Sequence, residues 1–349
     1  MNHRVFLAGS EIAFDCAPDQ SVLDAALRAG IELPYSCRKG VCGNCAGGVA
    51  SGEVAGVGGA SIRNETCTPD QVLYCMCAPV TDVVLQPTEW KRADPSARKA
   101  FTGRVYKNQR VAHDVSLLQL RLPAGQRAKF RAGQYLQVLL DDGSARCYSM
   151  ANPPQESDAV TLHIRHVAGG RFSTQVGQLA PGDTLRVELP FGSVALQDSE
   201  RPIVFVAGGT GFAPVKSIID DMARRKLVRP ITLIWGARTP DGIYLAAAVE
   251  RWKKQWPQSF RFIPALSDVP AEDAGDAFCG RVDEALAASC GELAGHEVYC
   301  CGSPPMVAAV REAALAKGLA HADFHADVFV PGPSGTPSAE LAAIASHAI

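Results

Sequence analysis

The pattern of hydrophobic and polar residues changes along the chain and divides it into regions. In the first region, up to about residue 90, short alternating runs at 4–7 and 83–85 predict strands, and the pattern at 22–29 predicts a helix. Ser21 precedes that helix and is a suitable N-cap. Glycine is dense from residue 40 to 59, which predicts a loop.

Residues 100–198 have the pattern of a β domain. The stretches 116–122 and 160–165 alternate apolar and polar residues and are separated by turn residues. Strands at this spacing predict an antiparallel β-barrel. Residues 91–99, which precede this region, are charged and contain a proline, so we expect a linker there.

From residue 199 the pattern becomes a strand–helix alternation. Apolar runs at 203–206, 231–235 and 298–301 precede amphipathic helical patterns at 215–225, 246–255 and 306–317. Residues 199–330 are therefore predicted to form a doubly wound parallel sheet. Residues 331–349 begin with Pro, Gly and Ser and become rich in alanine, which predicts a loose C-terminal tail.

Composition narrows the function classes. With 349 residues, 47% hydrophobic and 20% charged, the chain is typical of a globular protein of two or three domains. A net charge of −2 argues against a basic nucleic-acid binder. The sequence has neither an 18-residue apolar run nor a signal-peptide pattern, so no membrane span and a cytoplasmic location are expected. Twelve cysteines in that compartment indicate metal or redox chemistry.

The strongest chemical signal is a glycine-rich loop with three cysteines spaced by four and two residues, Cys37, Cys42 and Cys45. Zinc is the alternative, but structural zinc sites usually pair Cys-x-x-Cys units, whereas this spacing matches plant-type [2Fe–2S] proteins. Gly40 and Gly43 allow the backbone to fold around a cluster and direct N–H groups at its sulfurs. A fourth ligand must come from elsewhere, and three residues qualify by residue type: Cys67, Cys75 and Cys77.

Residues 35–45 closely resemble the cluster loop of plant-type ferredoxins. In that family the fourth cysteine is followed by Pro at +4 and Asp at +7. Cys75, with Pro79 and Asp82, fits this pattern, and the other two cysteines do not. The resemblance implies a β-grasp ferredoxin domain over residues 1–90, with Cys75 as the fourth ligand.

The barrel region carries candidate flavin residues at 146–149. The Arg146 guanidinium can neutralise a pyrophosphate, Tyr148 offers an aromatic face to a flavin, and Ser149 offers a hydroxyl to flavin N5. These residues resemble the Arg-x-Tyr-Ser motif of the ferredoxin–NAD(P)H reductase family, and residues 130–135 are also similar to that family. The resemblance implies a flavin-binding barrel.

A second flavin motif follows at 169–173. Gly169, Gly170 and Ser173 resemble the phosphate-binding Gly-x-x-Ser of the same family. Ser173 is expected to cap a helix over 174–179, whose amide end would attract phosphate. A pyrophosphate site favours FAD over FMN.

The loop at 207–214 follows a buried strand and precedes a helix, where glycines allow close approach of a pyrophosphate. It lacks the Gly-x-Gly-x-x-Gly fingerprint and resembles the reductase family's Gly-Gly-Thr-Gly-x-Ala-Pro. The resemblance implies NAD(P)H binding at four residues: Gly208, Gly209, Thr210 and Gly211. Cys301 and Gly302 match the family's Cys-Gly-x-Pro, whose cysteine borders the nicotinamide C4.

Two further positions bear on the cofactors. Asp327-Val-Phe329 resembles an acidic-x-Phe ending whose aromatic ring covers the flavin, but twenty residues follow Phe329, which leaves that role open. Enzymes that prefer NADH commonly bind the ribose 2′-hydroxyl with an acidic residue after the second strand of the sheet, and no such residue directly follows that strand here. Arg238 stands there instead and can pair with the 2′-phosphate of NADPH. This favours NADPH over NADH, with a solvated or ribose-side role for Arg238 as the alternative.

The order of the three modules resembles the reductase components of aromatic-ring dioxygenases, above all those that serve terephthalate dioxygenases. The resemblance implies transfer of electrons from NAD(P)H through FAD and a [2Fe–2S] cluster to a Rieske-type oxygenase, with Ser149, Thr210 and Cys301 shaping the hydride-transfer site. Reductases of diiron monooxygenases or deoxysugar dehydratases are the alternatives. A redox-sensing iron–sulfur module is an alternative of another class.

Overall fold

The computed structural model describes residues 2–94 and 98–330. These residues form two compact units. The first comprises 2–94 with 192–194 and 326–330, and the second comprises 98–191 and 195–325. The predicted tail, 331–349, and residues 95–97 of the predicted linker lie outside the described residues.

The first unit is built on a mixed β-sheet. Its elements are β1 (His3–Leu7), β2 (Ala13–Cys16), α1 (Val22–Arg28), β3 (Ile31–Glu32), β4 (Ala46–Ser51), β5 (Val54–Gly56), β6 (Gln71–Leu73), β7 (Cys77–Pro79), β8 (Val83–Pro87) and β9 (Lys91–Arg92). The main sheet has the order β2-β1-β8-β4-β6, with β1 and β8 parallel and the other pairs antiparallel. β9, which lies in the predicted linker, pairs with β3. A mixed sheet packed against one helix agrees with the expected β-grasp domain.

Helix α1 begins where the sequence predicts. The Ser21 hydroxyl accepts the Asp24 N–H at 3.1 Å, which confirms the N-cap. Val22 and Leu23 are fully buried, and burial of each such side chain stabilises the fold by about 1.5–3 kcal/mol.

The glycine-dense segment at 40–59 is not all loop, so that part of the prediction is wrong, because it contains β4 and β5. Gly47 in β4 makes room for the Tyr74 ring, since a β-carbon there would lie 2.4 Å from the phenol oxygen.

The second unit begins with an antiparallel barrel. Its strands are β10 (Lys99–Ala112), β11 (Val115–Arg121), β12 (Tyr135–Leu139), β13 (Ala145–Ser149), β14 (Ala159–Arg165) and β15 (Thr184–Phe191). They are ordered β13-β12-β15-β10-β11-β14, and a bridge between Met150 and Leu162 connects the two ends of that order. The alternating stretches thus close around one core, as expected.

The helix expected over 174–179 is not formed, and Ser173 is not its cap. The structure has a single 3₁₀ turn, Val176–Gln178, and the Ser173 hydroxyl bonds to the Val167 backbone. The Asn108 side chain from β10 donates to the carbonyls of Val176 at 2.6 Å and Leu179 at 3.0 Å. These two bonds tie the turn to the barrel.

From residue 203 the chain forms a parallel sheet with connecting helices, which belongs to the second unit except for residues 326–328 of its last strand. Its elements are β16 (Ile203–Gly208), α2 (Phe212–Arg224), β17 (Ile231–Ala237), α3 (Ala246–Gln255), β18 (Phe260–Leu266), β19 (Phe278–Cys279), α4 (Val282–Ser289), β20 (Glu297–Gly302), α5 (Pro304–Ala316) and β21 (Phe324–Val328). The order is β19-β18-β17-β16-β20-β21. From β16 the chain proceeds through β17 to β18, while β20 lies on the other side of β16. The topological switch point therefore lies between β16 and β20, where ligands of such folds bind at the carboxyl ends of the strands.

Candidate functional site

Four cysteine thiols come together in the first unit as two pairs. The thiols of Cys37 and Cys42 are hydrogen-bonded, and so are those of Cys45 and Cys75. A [2Fe–2S] cluster takes four thiolates, two on each iron, so this donor set fits such a cluster. Cys75, the predicted fourth ligand, is one of these four residues, and its role as a ligand stays a prediction.

The environment of Cys37 favours its thiolate, the form that binds iron. The hydrogen bond from Cys42 and nearby backbone N–H groups lower the pKa of Cys37 to about 5. The N–H groups of Lys39 and Cys42 both lie 3.4 Å from Cys37 Sγ.

The other candidate cysteines have different surroundings. Cys67 Sγ lies 3.8 Å from Asn64 Oδ1, and burial raises the pKa of the fully buried Cys77 to about 12. Within residues 2–94 and 98–330, no three Cys, His, Asp or Glu side chains are arranged to hold a single metal ion.

The cluster loop requires glycine at position 43. Gly43 has a φ of +80°, and a β-carbon there would lie 2.2 Å from Thr66 Oγ1. The Asn64 amide donates to the carbonyls of Gly40 at 2.8 Å and Val41 at 3.2 Å. The loop is therefore held in shape by residues 64–66 as well as by its own backbone.

Both flanks of the loop bond to distant parts of the chain within the first unit. Ser36 Oγ donates to the buried carboxylate of Asp327 at 2.6 Å, and Asn44 Nδ2 donates to the Ala326 carbonyl at 2.9 Å. The backbone N–H of Tyr35 donates to Ser193 Oγ at 2.9 Å. These partners are 158 to 291 positions away, so no local pattern in the sequence could have indicated them.

The candidate flavin residues lie on β13 and on the turn after β14. Arg146 is half-buried and donates to the Ala145 carbonyl at 2.9 Å, and the Tyr148 ring lies 5.6 Å from that of Phe172. Ser149 is buried and stands opposite Tyr135 of β12.

The turn after β14 is tight around the predicted phosphate-binding residues. A β-carbon on Gly170 would lie 2.2 Å from Ser173 Oγ, and Gly169 has a φ of +74°. Glycine at both positions fits a turn that brings its backbone close to a phosphate. Phe329, half-buried just after β21, belongs to the first unit, and its role toward the flavin stays a prediction.

The candidate coenzyme residues meet at the switch point of the parallel sheet. Ala207 is paired with Cys301 across β16 and β20, and a β-carbon on Gly211 would lie 2.0 Å from the Cys301 carbonyl oxygen. The Met306 sulfur fills the space beside Gly208 and Gly302, lying 2.4 and 2.7 Å from where their β-carbons would be. The two motifs, more than 90 positions apart in sequence, thus lie side by side at the ends of β16 and β20.

Two arginines lie at the carboxyl ends of β14 and β17. Arg165 ends β14 and belongs to none of the sequence motifs. A β-carbon on Gly209 would lie 2.5 Å from Nη2 of Arg165, whose Nε is 3.2 Å from Asp114 Oδ2. Arg238 is exposed just after β17, where the sequence predicts it. The carboxylate of Asp241, three residues further on, lies 3.3 Å from His113 Nδ1.

Three protein-family models match the chain in the order that the motifs predict. A 2Fe-2S iron-sulfur cluster binding domain matches residues 5–80, an oxidoreductase FAD-binding domain 102–196, and an oxidoreductase NAD-binding domain 205–312. Reductase component 2 of terephthalate 1,2-dioxygenase from a Comamonas species is 59% identical over 336 residues, which cover 96% of this chain and 99% of the relative. The chain belongs to this family of dioxygenase reductase components.

More distant members of this reductase group are similar over nearly the same length. A CDP-6-deoxy-L-threo-D-glycero-4-hexulose-3-dehydrase reductase of Yersinia pseudotuberculosis is 32% identical, over 95% of this chain and 99% of the relative. The crystal structure of the Amycolatopsis cytochrome P450 reductase GcoB has a TM-score of 0.74 and 30% identity, covering 94% of this chain and 99% of that one. The chain is an NAD(P)H-dependent flavin iron–sulfur oxidoreductase with FAD, NAD(P)H and [2Fe–2S] modules. Across the described residues, no helix combines the length and hydropathy that crossing a bilayer requires.

Proposed function

We propose that this chain is the reductase component of an aromatic-ring dioxygenase, with terephthalate as the ring substrate of the oxygenase it serves. In this proposal electrons pass from NAD(P)H through FAD and a [2Fe–2S] cluster to a Rieske-type oxygenase component. The observation that carries it is the 59% identity to a terephthalate 1,2-dioxygenase reductase across all three modules. The deoxysugar dehydrase reductase is 32% identical over a similar length, which favours the dioxygenase system.

The three modules suit a conversion between two-electron and one-electron chemistry. A bound flavin would accept one hydride, which carries two electrons, and release these electrons singly to a plant-type cluster, which takes one at a time. In this scheme Arg146 binds the flavin pyrophosphate, and Ser149, Thr210 and Cys301 shape the contact between flavin and nicotinamide. Arg238, exposed after β17, is proposed to bind the 2′-phosphate of NADPH.

The acceptor is proposed to be a protein that docks near the cluster loop. Rieske centres have potentials of about −150 to +300 mV, against about −400 mV for plant-type ferredoxins, so electron delivery would be favourable. Of the two basic residues on the loop, Arg38 forms an ion pair with Asp24, whereas Lys39 is exposed. Lys39 is thus the better candidate to meet an acidic surface. A cytoplasmic location remains a prediction.

The decisive experiment combines the purified, cofactor-loaded protein with three oxidising partners. These are the oxygenase component of a terephthalate dioxygenase, the hydroxylase of a diiron phenol monooxygenase, and a deoxysugar dehydratase. The proposal expects NAD(P)H-dependent product only, or at least tenfold faster, with the dioxygenase. Cytochrome c reduction serves as the control for an intact electron path. Fast cytochrome c reduction without turnover of the dioxygenase would refute the proposal that the dioxygenase is the electron acceptor. If neither cytochrome c nor the oxygenase is reduced, a redox-sensing role is favoured.

A further inference from the structure

The loop Gly209–Gly211, between β16 and α2, is fixed by an indole from the neighbouring strand. Trp235 of β17 is fully buried, and its Nε1–H donates to the Gly209 carbonyl at 3.0 Å. The same carbonyl accepts the backbone N–H of Phe212. Gly209 has a φ of +53°, in the left-handed region that favours glycine. Two donors therefore hold this carbonyl in one direction.

The direction of that carbonyl determines the direction of the next amide. The Gly209–Thr210 peptide is trans, since Leu189–Pro190 is the one cis peptide bond in the described part of the chain. In a planar trans peptide the C=O and the N–H point to opposite sides. A carbonyl turned toward the buried indole thus turns the Thr210 N–H to the opposite side of the peptide. In such folds the pyrophosphate of a dinucleotide binds at the carboxyl end of the first strand and the N-terminus of the helix that follows it.

The indole itself is held by aromatic neighbours. Its ring stacks on Phe212 with a centroid distance of 3.7 Å and an interplanar angle of 5°, and it meets Tyr244 edge-on at 5.1 Å. The Tyr244 hydroxyl lies 3.0 Å from Nδ1 of the buried His163. Trp235 therefore has little freedom to leave the Gly209 carbonyl.

We propose that Trp235 is a positioning residue for the nicotinamide coenzyme: its indole N–H orients the Gly209–Thr210 peptide so that the Thr210 N–H is presented to the pyrophosphate. This inference rests on the assignment of the coenzyme site to the loop at 208–211. It adds a role for a buried residue that lies 24 positions beyond the end of that loop.

The test replaces Trp235 by Phe, which keeps an aromatic ring against Phe212 and removes the N–H donor. With ferricyanide as acceptor, the KM for NADPH and NADH should rise about tenfold while kcat stays within about twofold, because a uniform binding interaction has been lost. Binding of ADP-ribose, which carries the pyrophosphate, should weaken by about the same factor, and binding of adenosine should not change. Reduction of the flavin and cluster by dithionite should match the wild type.

Trp252→Phe is the matched control. Trp252 is also fully buried and near Phe212, but its Nε1–H donates to Asp220 Oδ1 at 2.9 Å instead of to the loop. The Trp252→Phe variant should lose about as much stability as Trp235→Phe, but its KM for the coenzyme should not change. Unchanged KM and ADP-ribose affinity in Trp235→Phe, or an equal change in Trp252→Phe, would overturn the inference.

A second substitution keeps the test conclusive if Trp235→Phe folds poorly. Incorporating 3-benzothienylalanine at position 235 retains the bicyclic shape and replaces the N–H with sulfur, so the same loss of ADP-ribose affinity is expected. If this variant folds and still binds ADP-ribose as tightly as the wild type, the role of Trp235 is refuted. Failure of the proposed dioxygenase function is distinguishable, because it alters the oxygenase-coupled assay and not the ferricyanide assay.

Discussion

Glu297, at the start of β20, is the centre of a buried polar network whose strength can be tested directly. Its carboxylate is 0% exposed and accepts from Arg229 Nη2 at 3.0 Å, Arg201 Nη2 at 3.1 Å, Tyr299 Oη at 2.9 Å and Ser199 Oγ at 2.5 Å. The change Glu297→Gln removes the charge and leaves one acceptor oxygen in nearly the same shape. The network holds the strand that carries Cys301, so its loss should destabilise the nucleotide domain.

The expected magnitude follows from the exposure of the partners. Removing one member of a buried ion pair costs about 3–5 kcal/mol. Arg229 is 4% exposed and would be left uncompensated, whereas Arg201 is 38% exposed and regains contact with water. We therefore expect a loss near the lower limit, about 3 kcal/mol, and a melting temperature lower by about 6–12 °C.

The assay is thermal unfolding followed by tryptophan fluorescence. Three of the four tryptophans, Trp235, Trp252 and Trp256, lie in the domain that contains Glu297. Glu250→Gln is the matched control, because Glu250 forms an exposed ion pair with Lys253. This substitution should change the free energy of unfolding by less than about 1 kcal/mol. Equal shifts in the two variants, or a loss below about 1 kcal/mol for Glu297→Gln, would refute the reasoning.

The pH dependence gives an independent check of the same network. Burial raises the pKa of Glu297, but hydrogen bonds from Ser199, Arg229 and Tyr299 outweigh it and hold the pKa below its usual value. A carboxyl with a lowered folded pKa stabilises the protein fully above its unfolded value of about 4.3 and loses that contribution as the pH falls through the folded pKa. The stability difference between wild type and Glu297→Gln should thus be constant from about pH 6 to 8 and shrink below about pH 4.

Three other predictions concern the cofactor sites. Cys75→Ser should abolish the electron paramagnetic resonance signal of the reduced cluster and leave the FAD content unchanged. The control variant Cys67→Ser should retain the signal. The reverse result would assign the fourth ligand to Cys67. Arg146→Ala should weaken FAD retention at least about tenfold in gel filtration, since a charge-assisted bond to phosphate is lost, and an unchanged flavin-to-protein ratio would contradict the pyrophosphate role. Arg238→Ala should lower the NADPH-to-NADH ratio of kcat/KM about tenfold, mainly through NADPH, and an unchanged ratio would show that Arg238 does not bind the 2′-phosphate.

Much of the fold could be predicted because the signals are local. Helix α3 has the bounds that periodicity predicts, and α1 starts at the residue that its Ser21 cap predicts. The cofactor modules could be predicted for a related reason. A bound cluster or pyrophosphate constrains a short loop, so the Cys37–Cys45 spacing and the glycines at 208–211 carry the information in a few adjacent positions.

The differences arise where distant residues decide the local structure. At 174–179 a local pattern favoured a helix, but only one 3₁₀ turn forms, and the side chain of Asn108, about 70 positions earlier, ties the carbonyls of Val176 and Leu179 to β10. The glycines of β4 were interpreted as loop residues, although one of them leaves room for the Tyr74 ring. The contact of Arg165 with Gly209 likewise depends on how the barrel and the nucleotide sheet pack, which periodicity does not contain.

The bonds from Ser36 to Asp327 and from Asn44 to Ala326 have a consequence for how the protein is made. A ribosome adds about 5–20 residues per second, so Asp327 is polymerised roughly 15–60 s after Ser36, 291 positions earlier in the chain. During that interval the cysteine loop exists without two of the bonds that brace its flanks. A cluster inserted before residues 326 and 327 are synthesised would therefore sit in a loop that lacks these two bonds.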